Sequence, residues 1–497
     1  MIHLLLFAAA TLFAADSYPV GEAAERDQRS GNRLALSIAA DSSPQQIEQQ
    51  LQLASEMGIL ILEIEDVLPV QLPDDHPFFF FLSVGEPHAT AAFSQNRISG
   101  MAAGLQGRFN RLSGVYGDRV LAASLFHYPN SRHPEFPGIA AALTDSLELG
   151  NSTQRYYHTY FPAESALPPF QFVSVQIQGS TGDELSSPVA HFLPESSLRN
   201  DLQVLEKLLH ASRSYENSVI VLPGKWTAAL LQNRPEFKPI FQRYMNGDAF
   251  TFPLPAPGPA DAGINMPVLL IFLMWAITAL MLRFHPVFRQ SNLRYFVHHS
   301  FFVEDVADQR YRHAMPGVYL ALQHAIGVGL FCMILIQTVL SNNGLAILSD
   351  YFPVLFYTYS PSFSFFMMGF LAALLLTTIS IAWIYLGNKE LKQLHQAINF
   401  YAWPLQLNLI IITLVVVVSE TGVGHRWLPT LGVLFLFIWF SSFNMAAFDS
   451  GRFLSSNRFL YLMGTVGLHV ILIAGSILYL YLTPQILEPI RFALSVP

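Results

Sequence analysis

Apolar residues are arranged differently in the two halves of the chain. In the second half they form long runs at about 265–283, 316–340, 363–386, 399–418, 428–448 and 459–482. Each run approaches or exceeds the ~20 residues a helix needs to cross a hydrocarbon core of about 30 Å. The pattern predicts an all-α transmembrane domain of about six helices. The apolar segment Phe352–Tyr359 is too short to be a seventh span and reads as interfacial or re-entrant.

In the first half the runs are short, and several alternate with polar residues. Arg33–Ala40, Ile59–Glu65, Phe78–Val84, Arg119–His127, Tyr156–Phe161, Phe170–Gln178, Val219–Leu222 and Phe250–Leu254 read as strands. Between the first two, Ser43-Pro44-Gln45-Gln46 opens a helix. Ser43 is the N-cap, Pro44 takes the first turn and Gln46 closes a capping box. Ile47, Leu51 and Ala54 form its buried stripe, and Gly58 ends it. Thr90 to Tyr116 reads as helical, and Leu198, Leu202, Leu205 and Leu209 mark a later helix. Strands alternating with helices favour a parallel sheet. Eight candidate strands suit an irregular TIM-type α/β barrel, because some connections are too short or proline-rich for full helices. The alternative is an open doubly wound sheet.

Composition sharpens this division. Charged residues are 12% of the chain, against about 25% in soluble domains, and the net charge of -8 excludes a basic nucleic-acid binder. The imbalance lies in residues 1–263, with 16 Lys/Arg against 27 Asp/Glu, whereas residues 264–497 hold 11 against 8. The proline-rich stretch 252–263 reads as a semi-rigid linker between an external domain at 16–251 and a membrane domain at 264–497. Residues 1–15, apolar and then small, read as an export signal. Cys332 is the sole cysteine. It excludes an intramolecular disulfide and reads as a small packing residue.

Basic residues orient the spans. Arg283, Arg289, Arg294, Arg310, Arg312, Lys389, Lys392, Arg452 and Arg458 follow odd-numbered spans, whereas Arg426 and Arg491 follow even ones. By the positive-inside rule, the external domain and the C-terminus share the non-cytoplasmic side of a bacterial inner membrane. Gln323, His324, Gln337, Asn408, Asn444 and His469 are polar positions within spans, and they read as interhelical hydrogen-bonding devices. The first inward loop interleaves aromatic and basic residues around Arg294-Tyr295-Phe296, Phe301-Phe302 and Arg310-Tyr311-Arg312, as an interfacial amphipathic helix does. A metal site at His298, His299 and His313 is disfavoured, since adjacent side chains diverge by about 100° on a helix. The loop and the polytopic domain after it resemble an uncharacterised bacterial inner-membrane domain family, which implies no activity.

Candidate chemistry lies at the strand C-termini. Period-two alternation puts Glu63 and Glu65 on one face of the second strand, with Asp66 following. The third strand ends at Glu86 and His88, the first at Asp41, the fourth at His127 and Tyr128. Gln176 and Gln178 share a face of the sixth, and Lys225 and Trp226 follow Val219–Leu222. Glu63 or Glu65 with Glu86 would supply the paired carboxyls of a glycosidase, ~5–5.5 Å or ~6.5–9.5 Å apart. The layout resembles a degenerate glycosidase-like barrel, without the expected acid signatures on the later strands.

No Walker A, dinucleotide-binding, HExxH or nucleophile-elbow motif is present, so no cofactor and no metal are expected. The leading expectation is an envelope protein whose barrel binds a ligand, a saccharide being the class favoured, through Asp41, Asp66, His88, His127, Tyr128, Gln176, Gln178, Lys225 and Trp226. Its helices would meet the lipid bilayer and anchor the barrel or join a membrane complex. The alternatives are a membrane-tethered glycoside hydrolase using Glu63, Glu65 and Glu86, and a transporter or secretion-complex component.

Overall fold

The computed structural model describes residues 33–73, 76–85, 95–150, 152–161, 166–178, 187–194, 197–213, 218–255, 265–358, 360–421, 427–455 and 457–496. The export-signal segment and most of the proline-rich stretch lie outside these. The chain divides into two compact units, at Asp261/Ala262.

The first unit is a closed barrel of eight parallel strands in sequential order: β1 (Arg33–Ile38), β2 (Ile61–Ile64), β3 (Phe79–Ser83), β4 (Val120–Phe126), β5 (Gln154–Thr159), β6 (Phe172–Ile177), β7 (Val189–Phe192) and β8 (Val219–Pro223). Closure is made by β1 on β8, with Ala35 opposite Val221, which rules out the open doubly wound alternative. Seven of the expected strands are present. Phe250–Leu254 is not a strand, because its aromatics are buried elsewhere: Phe250 stacks on His210 at 4.5 Å and Phe252 packs on Phe237 and Phe241. Phe252 N also donates to Glu206, and Arg199 to the Pro255 carbonyl, so the start of the proline-rich stretch is docked on the barrel. The eighth strand is β7, whose four residues carry too little alternation to read as a strand in the sequence.

Helices α1 (Pro44–Met57), α2 (Gln95–Tyr116), α3 (Phe136–Asp145), α4 (Leu198–Ser212), α5 (Gly224–Asn233) and α6 (Lys238–Met245) belong to this unit. Helix α1 begins with the expected reciprocal bonds, Ser43 N to Gln46 Oε1 at 3.0 Å and Gln46 N to Ser43 Oγ at 3.3 Å. It ends at Gly58, whose φ of 74° only glycine adopts without strain. No helix follows β2 or β5 among the described residues, so the barrel is irregular. Residues such as Leu36, Leu62, Ile64 and Leu82 face outward in the main core. The inward face of the lower barrel is filled by Ala35, Ile61, Phe81, Ala122, Tyr156, Phe172, Val189 and Val221. Small Ala35 and Ala122 make room for Phe81, Tyr156 and Phe172, the last two stacked at 4.8 Å.

The second unit holds six helices long and apolar enough to cross a membrane. They are α7 (Met266–Phe284), α10 (Met315–Val339), α12 (Pro361–Gly387), α13 (Leu394–Thr421), α14 (Leu428–Gly451) and α15 (Arg458–Leu482). Helices α10 and α12 pack closely because glycine removes side-chain bulk. A Cβ on Gly329 would lie 2.8 Å from the Phe366 carbonyl, and one on Gly369 2.7 Å from Cys332 Sγ. Most polar span residues form interhelical pairs: Gln323 with Thr278 at 2.9 Å, Asn408 with His324 at 3.2 Å, Gln337 with Ser362 at 3.0 Å and His469 with Asn444 at 3.5 Å.

At one end of this bundle, α11 (Asn342–Tyr351) and α16 (Pro484–Ser495) meet. Ser341 Oγ donates to the Val496 carbonyl at 3.0 Å. Among its described residues, 352–358, the apolar segment before the third span holds only a short turn, Pro353–Leu355. At the other end, α8 (Pro286–Val297) and α9 (His299–Ala307) reach both later loops. Gln396 donates to the Val306 and Ala307 carbonyls, and His299 Nε2 lies 2.9 Å from Asp449 Oδ2. The expected interfacial helix is therefore two helices with their own core: Phe288, Tyr295, Phe302 and Tyr311 are buried around Trp403.

The hydrogen bond from Asp449, ahead of the opposing cost of partial burial, raises the pKa of His299. A raised folded-state pKa adds stability that is complete below the unfolded value of ~6.5 and is lost as pH rises through the folded value. The difference in thermal midpoint between wild type and His299→Gln is therefore expected to be larger near pH ~6 than near pH ~8.5. Equal differences at both pH values would remove the ion pair as a stabilising element.

Candidate functional site

Inward positions change character toward the strand C-termini. Above the apolar floor lie Glu63 on β2, His158 on β5, Ser174 on β6 and His191 on β7. Register explains their convergence. Glu63 pairs with Phe81 and Ser37, His158 with Ser174, and His191 with Gln176. Alternation turns Ile61, Glu63 and Glu65 inward while Leu62 and Ile64 face the helices.

Glu63 is the centre. It is 4% exposed, and both carboxylate oxygens are engaged. Tyr156 Oη donates to Oε1 at 3.0 Å, and His191 Nε2 lies 2.5 Å from Oε2. His158 Nε2 is 3.4 Å from Oε1. Burial pushes the Glu63 carboxyl up, but the charge of His191 and its hydrogen bond, then His127 and Tyr156, outweigh it and hold the pKa below its usual value. Behind His191, Ser174 Oγ meets Nδ1 at 2.5 Å. The chain Ser174–His191–Glu63 has the connectivity of a catalytic triad, but Ser174 is fully buried in the barrel interior. It serves to aim the His191 ring, with Nε2 toward Glu63.

His158 is fully buried, and neither ring nitrogen has a hydrogen-bond partner. It is enclosed by aromatic edges: His127 at 4.5 Å, His191 at 4.7 Å, Tyr156 at 5.2 Å and Tyr128 at 5.3 Å. Burial, then the charges of His127 and His191, lowers its pKa far below 6.5 and keeps it neutral. Tyr128 stacks on Tyr160 at 4.4 Å, with a φ of 55°. A bulky residue in the left-handed region costs of order 1–3 kcal/mol, and such strain concentrates at functional sites. Burial raises the phenols of Tyr128 and Tyr156 well above 10, so both remain protonated.

The other expected site residues fall in four groups. His127 and Tyr128 join the cluster. At the strand ends, Asp41 pairs with Lys225 at 2.8 Å, and the partly desolvated Glu65 has its pKa raised by that desolvation first and then by the charge of Glu63. Gln176 and Gln178 are half-buried, at the end of β6 and just past it. Two residues lie away from the cluster. Asp66 points outward to Arg111 at 2.7 Å, and the Trp226 ring packs on Phe192, 5.1 Å away, in the outer core. Glu86 and His88 lie outside the described residues.

His158 and His191 were not among the expected site residues. Period-two alternation in Tyr156-Tyr157-His158 and Val189-Ala190-His191 was the available signal. No metal was expected, yet Glu63, His158 and His191 bring one donor atom each to within 4.8 Å of one another.

The fold and this cluster define a closed parallel α/β barrel protein that also carries six potential membrane-spanning helices. No protein-family model and no curated protein matches the chain. Among solved structures, the crystal structure of the GH2 beta-galacturonidase from Eisenbergiella tayi bound to galacturonate is similar over 45% of this chain and 52% of that one, with 9% identity and a TM-score of 0.28. The match thus spans about half the length of that chain.

Stability separates groups held for packing from one held at a cost. His158→Leu removes an unsatisfied buried imidazole and is expected to raise stability by about 1 kcal/mol or more, whereas Tyr156→Phe takes a donor from a buried carboxylate and should lower it by about 1.5–3 kcal/mol. Thermal unfolding of the chelator-treated full chain in detergent measures both. A strongly destabilised His158→Leu would show that His158 is an ordinary packing residue.

Proposed function

We propose that this chain is an envelope protein whose barrel binds a polar ligand of the saccharide class at its C-terminal mouth, while the helices anchor it in a bacterial inner membrane or join it to a larger complex. One observation carries the reading. Glu63, Tyr156, His158, Ser174 and His191, from four strands, converge at the strand ends, beside the strained Tyr128 and the Tyr128–Tyr160 stack. Convergent polar groups beside aromatic faces suit a ligand that has hydroxyls at its edges and apolar ring faces.

Binding is favoured over glycoside hydrolysis because both oxygens of Glu63 are already bonded within the protein. A glycan array probed with the full chain in nanodiscs is expected to show a carbohydrate signal that Tyr128→Ala reduces at least about tenfold, the loss of one good stacking contact. No signal for any carbohydrate would overturn the ligand class.

For topology, the reading puts the barrel and Ser495 on the non-cytoplasmic side. The junction of α11 with α16 supports it, because these helices follow the second and sixth spans. So does the meeting of the loops after spans one, three and five at the other end. On a Cys332→Ala background, single cysteines at the exposed positions Asn342 and Ser495 should react with an impermeant reagent in intact cells. Those at Asp308 and Lys389 should not. The reverse pattern would invert the assignment.

A further inference from the structure

We propose that Glu63, His158 and His191 bind a divalent transition-metal ion, with Zn2+ as the ion that fits best. The inference deepens the ligand-site reading by naming an inorganic partner for the same cluster. It rests on that reading only for the claim that this cluster is the functional centre.

Four observations carry it. The first is donor chemistry. Two imidazoles and one carboxylate suit zinc and its first-row neighbours, whereas calcium and magnesium favour all-oxygen sets. Three protein ligands also leave a fourth position for water or for a ligand oxygen, as catalytic zinc sites do.

The second is spacing. Ligands at ~2.0–2.1 Å from a tetrahedral ion lie about 3.4 Å from one another. His158 Nε2 and Glu63 Oε1 already stand 3.4 Å apart, and all three donors fall within 4.8 Å. His191 Nε2 is hydrogen-bonded to Glu63 Oε2 at 2.5 Å. Metal binding would take the place of that hydrogen bond, release its proton to solvent and open the pair by about 1 Å.

The third is the outer ring of contacts. A metal-bound histidine uses its second nitrogen to fix its orientation, and a metal-bound carboxylate is itself hydrogen-bonded. Ser174 Oγ holds Nδ1 of His191, and Tyr156 Oη holds Oε1 of Glu63.

The fourth is the unsatisfied imidazole. His158 is fully buried and faces Glu63 with no hydrogen-bond partner at either nitrogen, an arrangement that costs stability unless something occupies Nε2. The side chains of Glu63 and His158 are 5% and 1% exposed, against 12% for His191. The open coordination position would lie on the His191 side.

The test uses the full chain purified in detergent, stripped with a chelator and reloaded with Zn2+ alone. Elemental analysis after gel filtration should find about one Zn2+ per chain, and Glu63→Gln, His158→Ala and His191→Ala should each lower this below about a tenth of the wild-type value. Ser174→Ala should retain the ion with affinity weakened about 10–100-fold. His210→Ala, on the outer layer against Phe250, should bind as wild type does.

If the ligand variants misfold, wild-type protein loaded with Co2+ decides the matter. Tetrahedral Co2+ absorption that excess Zn2+ abolishes supports the site. Folded wild type that binds neither ion overturns it, as would undiminished binding in folded forms of all three ligand variants. Glycan binding measured separately in Zn2+-loaded and chelator-treated protein keeps the two proposals apart. Carbohydrate binding by protein that takes up neither Zn2+ nor Co2+ leaves the ligand reading intact and sinks this one. Metal binding without any carbohydrate does the opposite.

Discussion

A carboxylate inside a barrel of apolar side chains has exchanged water for a medium in which an isolated charge is untenable. Glu63 occupies that position and organises its surroundings. Tyr156 donates to one oxygen and His191 is hydrogen-bonded to the other. Ser174 fixes the His191 ring from below. The lower barrel is then filled mainly by apolar and aromatic side chains, with Phe81, Tyr156 and Phe172 in contact across its axis, while the ionisable groups gather toward the strand ends. The boundary between floor and site runs through a single residue. The Tyr156 ring belongs to the core and its hydroxyl to the cluster.

The same requirement for partners shapes the second unit by other means. Polar groups inside spans are paired across helices, as in Gln323 with Thr278 and Asn408 with His324. Backbones approach where glycine allows it, at Gly329 and Gly369. The aromatic and basic loop after the first span forms no isolated surface helix. Phe288, Tyr295 and Phe302 close on Trp403, while Arg294 and Arg310 stay exposed beside Asp305. One end of the bundle thus has its own core, tied across three loops by the Gln396 and His299 contacts.

The cluster is not explained by stability. His158 is buried without compensation, and Tyr128 is held in the left-handed region although it is not glycine. Both costs fall within one ring contact of Glu63 or His158. Local penalties of this kind concentrate at functional sites. The ion pair of Asp41 with Lys225 is a different kind of feature, solvated at the strand ends and contributing little to stability.

Much of this protein was legible in the sequence because it is written locally. Span length depends on a run of apolar residues against a fixed bilayer thickness, and the six runs reappear as six helices. The start of α1 needs only Ser43, Pro44 and Gln46. Glu63 stood out because alternation within one strand sets its face. His158 and His191 did not stand out, because each matters only through register with strands far away in the chain. Glu63 and His191 are separated by 128 residues. Strand β7, only four residues long, leaves too little alternation to read, whereas the aromatic Phe250–Leu254 reads as a strand until tertiary packing claims its rings for the helices. Local pattern determines which residues face inward. Only barrel closure, with β8 returning to β1, decides which inward residues meet.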